Sequence, residues 1–159
     1  MSRSATELFS PVSRATGRFA SQVYGKRVLV GYSGGVDSHV LLYELARVAS
    51  IHRIGIIALH GNHQVLPKSN QWEQHCQQVC QQIGVEFRSH RLPVDFDRAG
   101  GRESVLRETR YAWFKSVMNS GDVLATAHHL DDQIETVLFR LFRGSGVRGL
   151  AGISPVRKW

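Results

Sequence analysis

Arg27-Val28-Leu29-Val30-Gly31-Tyr32-Ser33-Gly34-Gly35-Val36-Asp37-Ser38 decides how this chain is read. Its first half is short, apolar and rich in β-branched residues, the composition of a buried strand. Its second half bends on two glycines and enters Asp37–Ala49, where Leu41, Leu45 and Val48 fall on one side at helical spacing. A strand, a glycine bend and a helix in that order begin a βαβ unit.

Working outward, the alternation repeats. Ile54–Leu59 reads as a second strand, followed by a loop from His60 to Asn70 and a helix from about Gln71 to Ile83. Val85–Ser89 is a weaker strand. After Gly100-Gly101, Arg102–Asn119 reads as a long helix whose buried face carries Leu106, Trp113 and Val117. Asp122–Ala127 is a further strand and Asp131–Phe142 a further helix, and residues 1–25 form a leading helical segment interrupted near Pro11. Near-continuous apolar strands alternating with helices predict an α/β fold, a parallel sheet with helices on both faces. Ligands of such sheets bind beyond the carboxyl ends of the strands, so residues just after strands are the candidate site.

The composition is that of a globular domain: 159 residues, 42% hydrophobic and 21% charged. No apolar run approaches the roughly 18 residues that span a bilayer. Met1–Glu7 lacks the apolar core of a secretory signal, so a cytoplasmic location and no membrane partner are expected. Twenty basic residues against 13 acidic ones give a net charge of +7. The excess is uneven: beyond Glu135 there is no acidic residue, while Arg140, Arg143, Arg148, Arg157 and Lys158 fall there. Such a surface steers toward polyanions, nucleotides or RNA, although a basic soluble protein needs no such partner.

Cys76 and Cys80 lie four apart and so share a helical face. His60, His63 and His75 make a zinc site conceivable, but the spacing matches no zinc ribbon or finger, and helix packing is the expectation.

The bend itself carries chemistry. Gly34 and Gly35 let the backbone approach a ligand, and the helix N-terminus beyond them presents unpaired N–H groups to a phosphate. Ser33 and Ser38 add hydroxyls, with Val36 and Asp37 between. No lysine follows the glycines, so this is not a Walker A loop, nor is it Gly-x-Gly-x-x-Gly. A carboxylate at Asp37 suits a phosphate accompanied by a divalent cation. The alternative is a tight turn in which Asp37 only stabilises the helix start.

A second acidic segment, Ala127-His128-His129-Leu130-Asp131-Asp132-Gln133-Ile134-Glu135-Thr136, also follows a strand and opens a helix. Asp132 and Glu135 are neighbours on one helical face. Brought near Asp37, Asp132 could complete a Mg²⁺ site on nucleotide phosphates; otherwise it is an acidic helix start beside a packed His129. Arg107 and Arg110 are anion-clamp candidates against solvated charges, and Arg143-Gly144-Ser145-Gly146 is either a phosphate-contacting loop or a linker.

Ser33-Gly34-Gly35-Val36-Asp37-Ser38 resembles the signature of the PP-loop ATP pyrophosphatases, which cleave ATP between its α- and β-phosphates. Taken in order with Glu103-x-x-x-Arg107-x-x-Arg110-Tyr111, His128-x-x-Asp131-Asp132-x-x-Glu135-Thr136 and Arg143-Gly144-Ser145-Gly146, it is similar to the tRNA(Ile)-lysidine synthetases over nearly the whole chain. His60-Gly61-Asn62-His63 and Trp72-x-x-His75-Cys76 look like the second-strand region of that family. Gln64-Val65 departs from the Gly-Leu usual there. The family continues past Trp159, so the resemblance implies residues 26–159 as a PP-loop ATP-binding domain that is incomplete at its C-terminus.

The resemblance implies a ligase. The carbonyl oxygen at position two of cytidine 34 in tRNA(Ile) attacks the ATP α-phosphate, pyrophosphate leaves, and the amine of free L-lysine displaces AMP to give lysidine. It implies Ser33 through Ser38 as ATP-binding, Asp37 and Asp132 as catalytic residues holding Mg²⁺, and Arg107, His129, Glu135 and Arg143 as substrate or phosphate contacts, with Glu135 facing the lysine ammonium. Two rivals stand beside it: a tRNA thiolation enzyme of the same superfamily, for which Cys76 and Cys80 have one residue too many between them, and a non-catalytic nucleotide- or RNA-binding module.

Overall fold

The computed structural model describes residues 11–93, 101–128, 130–142 and 153. The chain divides into two units, residues 1–126 and 127–159. The first contains helix α1 (Pro11–Gln22), strand β1 (Arg27–Gly31), helix α2 (Val36–His52), strand β2 (Gly55–Asn62), helix α3 (Ser69–Gln82), strand β3 (Glu86–Arg91), helix α4 (Arg102–Val117) and strand β4 (Val123–Thr126). The second contains helix α5 (Leu130–Phe142).

All strand pairs are parallel, in the order β3-β2-β1-β4. The α/β fold expected from the alternation is the one observed. The period of two along the strands sorts their side chains to two cores. On one face Val28 and Val30 of β1 and Ala58 of β2 pack with Ala20 of α1, Val23 just after it, Leu42, Leu45 and Val48 of α2, and Cys76, Val79 and Cys80 of α3. On the other, Leu29, Ile57 and Leu59 pack against Phe114 of α4. Helices therefore cover both faces, and β1, at the centre, is buried on both sides.

Boundaries moved more than elements did. α1 spans Pro11–Gln22, and the expected interruption near Pro11 involves residues 1–10, which lie outside the described residues. β2 runs on to Asn62, three residues past the expected end, because His60, Gly61 and Asn62 continue the ladder with β3 after β1 has stopped. The buried face of α4 is led by Val105 and Phe114, with Leu106, Trp113 and Val117 only partly covered. The helix is rotated so that Phe114 fills the space above Gly31, 3.2 Å from where a Cβ there would sit. At the opposite end of the sheet Arg27 of β1 donates through Nε to Asp122, just before β4, at 3.0 Å and pairs with it through a second nitrogen. This holds the two strand starts in register.

No helix among the described residues is long and apolar enough to cross a membrane.

Candidate functional site

Gly31 is the last residue of β1, aligned with Leu59 of β2 and Thr126 of β4. The chain leaves the sheet through buried Tyr32 and then bends. Gly34 has φ of +84°, a left-handed conformation that glycine adopts without strain. Gly35 returns to extended geometry as the residue before α2, and no side chain caps that helix. The first turn of α2 lies at the positive end of the helix dipole.

Two hydroxyls brace the bend. Ser38 donates to the carbonyl of Gly35 at 2.9 Å, Ser33 accepts from the Gly35 N–H at 3.2 Å, and the two hydroxyls lie 3.0 Å apart. Ser38 is buried, whereas Ser33, Gly35, Val36 and Asp37 are exposed. The residues expected to cradle phosphate are therefore brought together, with Asp37 in the first turn of α2.

Support comes from α3, which the sequence left without a role at this bend. The indole N–H of Trp72 donates to the Ser33 carbonyl at 2.8 Å. A Cβ on Gly34 would lie 2.6 Å from both Trp72 Nε1 and Cys76 Sγ, so α3 presses directly on the glycine. The only advance signal was Trp72-x-x-His75-Cys76, which puts Trp72 and Cys76 on one helical face. Cys76 and Cys80 are fully buried, in keeping with packing. Burial pushes both thiols up to about 11, so neither is a thiolate at neutral pH.

A histidine locks the bend to β2. The Tyr32 carbonyl can only accept, so His60 Nδ1, 2.9 Å away, carries the proton. Burial lowers the pKa of His60 below the ordinary value, outweighing that hydrogen bond.

Past β2 the chain turns at Gln64, whose φ is +54°. Gln64 thus adopts a backbone conformation that glycine favours. The buried Asn62 side chain holds the turn by accepting from the Gln64 N–H at 2.9 Å. Asn62 in turn donates to Glu73 of α3 at 2.6 Å, and Glu73 also accepts from Ser89 of β3. Against the upward pull of burial, those two donors hold the Glu73 carboxyl below its usual range.

Arg107 is exposed on α4, its guanidinium 5.0 Å over the Tyr111 ring. In the second unit, Asp132 is partly buried and Glu135 exposed, both in the first half of α5. Gln133 between them exchanges two hydrogen bonds with the backbone of Ile153, at 2.8 and 2.6 Å. His129 and Arg143 lie outside the described residues.

A glycine bend braced by serines, opening a helix at the carboxyl end of a central parallel strand, is the arrangement of an α/β domain of the PP-loop class. Residues 8–159 match the PP-loop domain family, and the chain belongs to it. Among curated proteins it is similar to tRNA(Ile)-lysidine synthase of Coxiella burnetii (strain RSA 493 / Nine Mile phase I), 41% identical over 129 residues, 81% of this chain and 29% of that protein. It is likewise similar to tRNA(Ile)-lysidine synthase of Pseudomonas syringae pv. tomato (strain ATCC BAA-871 / DC3000), 45% identical over 130 residues, 81% of this chain and 29% of that protein. The chain thus spans under a third of the length of these relatives. Among solved structures, the U34-tRNA thiolase NcsA from Methanococcus maripaludis with its [4Fe-4S] cluster superimposes with a TM-score of 0.67 at 19% identity. The match covers 87% of this chain and 52% of that one, a likeness of fold.

Proposed function

We propose that this chain is the nucleotide-binding part of a tRNA(Ile)-lysidine synthetase. It would bind ATP, activate cytidine 34 of tRNA(Ile) as an adenylate, and direct free L-lysine onto it with release of AMP and pyrophosphate. The observation that carries the reading is the braced bend, whose Gly34-Gly35 backbone and Ser33–Ser38 hydroxyl pair suit a polyphosphate. The similarity to tRNA(Ile)-lysidine synthases supports the choice of substrate.

In this reading Ser33 through Ser38 hold the ATP phosphates. Asp37 and Asp132 hold Mg²⁺, which favours one or two carboxylates and completes its shell with phosphate oxygens and water. Asp37 lies in the first turn of α2 and Asp132 in the first turn of α5. The bound cation would supply charge neutralisation at the α-phosphate. Glu135 offers a carboxylate to the lysine ammonium, and Arg107, His129 and Arg143 contact phosphate or RNA. The reaction needs in-line positioning and charge stabilisation rather than a protein nucleophile. Thiolation through Cys76 or Cys80 is disfavoured, because both thiols are buried and protonated. A cytoplasmic location suits a tRNA substrate.

The test is tRNA-dependent ATP–pyrophosphate exchange and incorporation of labelled lysine, in the protein and in Asp132→Ala. Wild-type exchange that the substitution abolishes, with an unchanged circular dichroism spectrum, is the expected result. Near-normal pyrophosphate release from Asp132→Ala rejects the role of that carboxylate. ATP binding without exchange leaves a binding module, and incorporation of sulfur instead of lysine identifies a thiolation enzyme.

A further inference from the structure

Helix α3 carries an outer face that neither the core nor the phosphate bend uses. Of its 14 residues six are glutamines, and all six are exposed. Its one carboxylate, Glu73, turns to Asn62 and Ser89, so the solvent side of the helix is free of acid. A solvated helix face ordinarily mixes charges of both signs. At 3.6 residues per turn Gln71, Trp72, His75, Gln78 and Gln82 form one stripe, beside the core-facing Cys76, Val79 and Cys80. The stripe runs down the side of α3 that meets α2, where Gln82 and Ile83 line a cavity with Tyr43, Ala46 and Arg47.

Trp72 heads the stripe with 50% of its surface exposed. Its indole N–H is held by the Ser33 carbonyl at 2.8 Å, which fixes the ring and leaves its flat face for a ligand. The ring of His75 lies beside it, centroids 5.8 Å apart and planes tilted by 39°. An immobilised aromatic face, a second ring and uncharged amides that both donate and accept suit the unpaired bases of RNA, which stack and hydrogen-bond through their edges. A protein partner would want an apolar centre to the patch, which glutamines do not supply. The net charge of +7 and the lack of acid on this face favour a polyanion. We propose that the outer face of α3, headed by Trp72 and His75, is a docking surface for unpaired bases of RNA, one of them stacked on the indole. The inference rests on the reading above for the identity of that RNA, a tRNA, and adds where its unpaired bases lie, beside the phosphate bend.

The test is the affinity of a fluorescein-labelled tRNA(Ile) transcript by anisotropy at one fixed salt concentration, with ATP titration, melting temperature and lysine incorporation alongside. Gln78→Glu/Gln82→Glu places two carboxylates on the stripe, further along α3 from the bend. RNA affinity is expected to fall about tenfold, with ATP affinity and melting temperature held. Trp72→Phe and Trp72→Leu both lose the donor to Ser33, and only Leu also loses the ring. Leu is expected to bind RNA about tenfold more weakly than Phe, the worth of one stacked base. Dextran sulfate, a polyanion without bases, should bind the two variants alike.

Gln78→Glu/Gln82→Glu that binds RNA as wild type does overturns the surface. So does a loss of RNA affinity in Trp72→Leu matched by an equal loss of ATP affinity, which marks Trp72 as a brace of the bend alone. Should Trp72→Leu fail to fold, His75→Ala carries the stacking comparison: weaker RNA binding is expected, and unchanged affinity overturns the surface. Variant-sensitive RNA binding by a protein that incorporates no lysine leaves the surface standing and rejects the ligase reading. Lysine incorporation with RNA binding indifferent to every variant rejects the surface alone; a wild type that binds no RNA rejects both.

Discussion

The indole N–H of Trp72 donates to the carbonyl of Ser33 at 2.8 Å, across 39 positions of sequence, and its ring edge lies where a side chain on Gly34 would be. One residue of α3 thereby fixes both the direction of the bend and the identity of its glycine. The bend is exposed at Ser33, Gly35, Val36 and Asp37 and supported by α3, which would allow its amides to be aimed before the proposed nucleotide arrives.

Trp72→Phe keeps a ring against Gly34 and removes the donor. The expected cost is about 1 kcal/mol of stability in urea unfolding, typical of one hydrogen bond. The same substitution should weaken ATP several-fold by calorimetry. Unchanged ATP affinity at reduced stability would show that the contact serves folding alone.

Gly34→Ala is predicted to be far more damaging than a surface glycine substitution. Its Cβ meets Cys76 Sγ and Trp72 Nε1 at 2.6 Å, and its φ of +84° is strained for alanine. Backbone strain of this kind costs about 1–3 kcal/mol, and relief by moving the bend would displace the amides proposed to meet phosphate. Denaturant midpoints and ATP titration check it; a variant that is stable and still binds ATP normally would refute the tight fit.

Gln64→Gly should raise stability. The residue is exposed and left-handed at φ +54°, a conformation costing a non-glycine residue about 1–2 kcal/mol. Part of the gain is lost to the greater freedom of glycine in the unfolded chain. A net increase of up to about 1 kcal/mol is expected by chemical denaturation, and a decrease would mean the Asn62 hydrogen bond already removes the strain.

Stability should fall with acidification in a range set by the histidines. His60 and His63 have folded pKa values below their ordinary 6.5, chiefly through burial. Below about pH 6.5 the unfolded chain therefore takes up protons that the folded chain refuses. Stability is full above that value and declines as pH falls toward the folded pKa values. His60→Asn can keep the donor to the Tyr32 carbonyl without titrating there, so it should flatten part of the decline. A wild-type profile flat between pH 7 and 5 would contradict the burial of both rings.

Much of the fold was legible from residue patterns. Val28, Leu29 and Val30 are apolar in succession because β1 is covered on both faces, and that continuity betrays a central parallel strand. Gly34-Gly35 with flanking serines marked the bend, since few other residues permit it. The rotation of α4 was less legible: Val105, Leu106, Trp113, Phe114 and Val117 are all apolar, and only contact with Leu29, Ile57 and Leu59 selects Phe114 over its neighbour Trp113. The extension of β2 to Asn62 was hidden for a similar reason, because His60, Gly61 and Asn62 carry no strand signal and are held by pairing with Ser89, His90 and Arg91.

Periodicity and glycine placement, which act over a few residues, determined that this chain is a parallel α/β domain with a phosphate-suited bend after its first strand. The order β3-β2-β1-β4 decided what surrounds that bend. It set Trp72 and Cys76 behind Gly34 and tied Asn62 to Glu73. Those relationships join residues 11 or more positions apart, and local propensity carries no information about which helix packs over which strand end; burial of the two cores does.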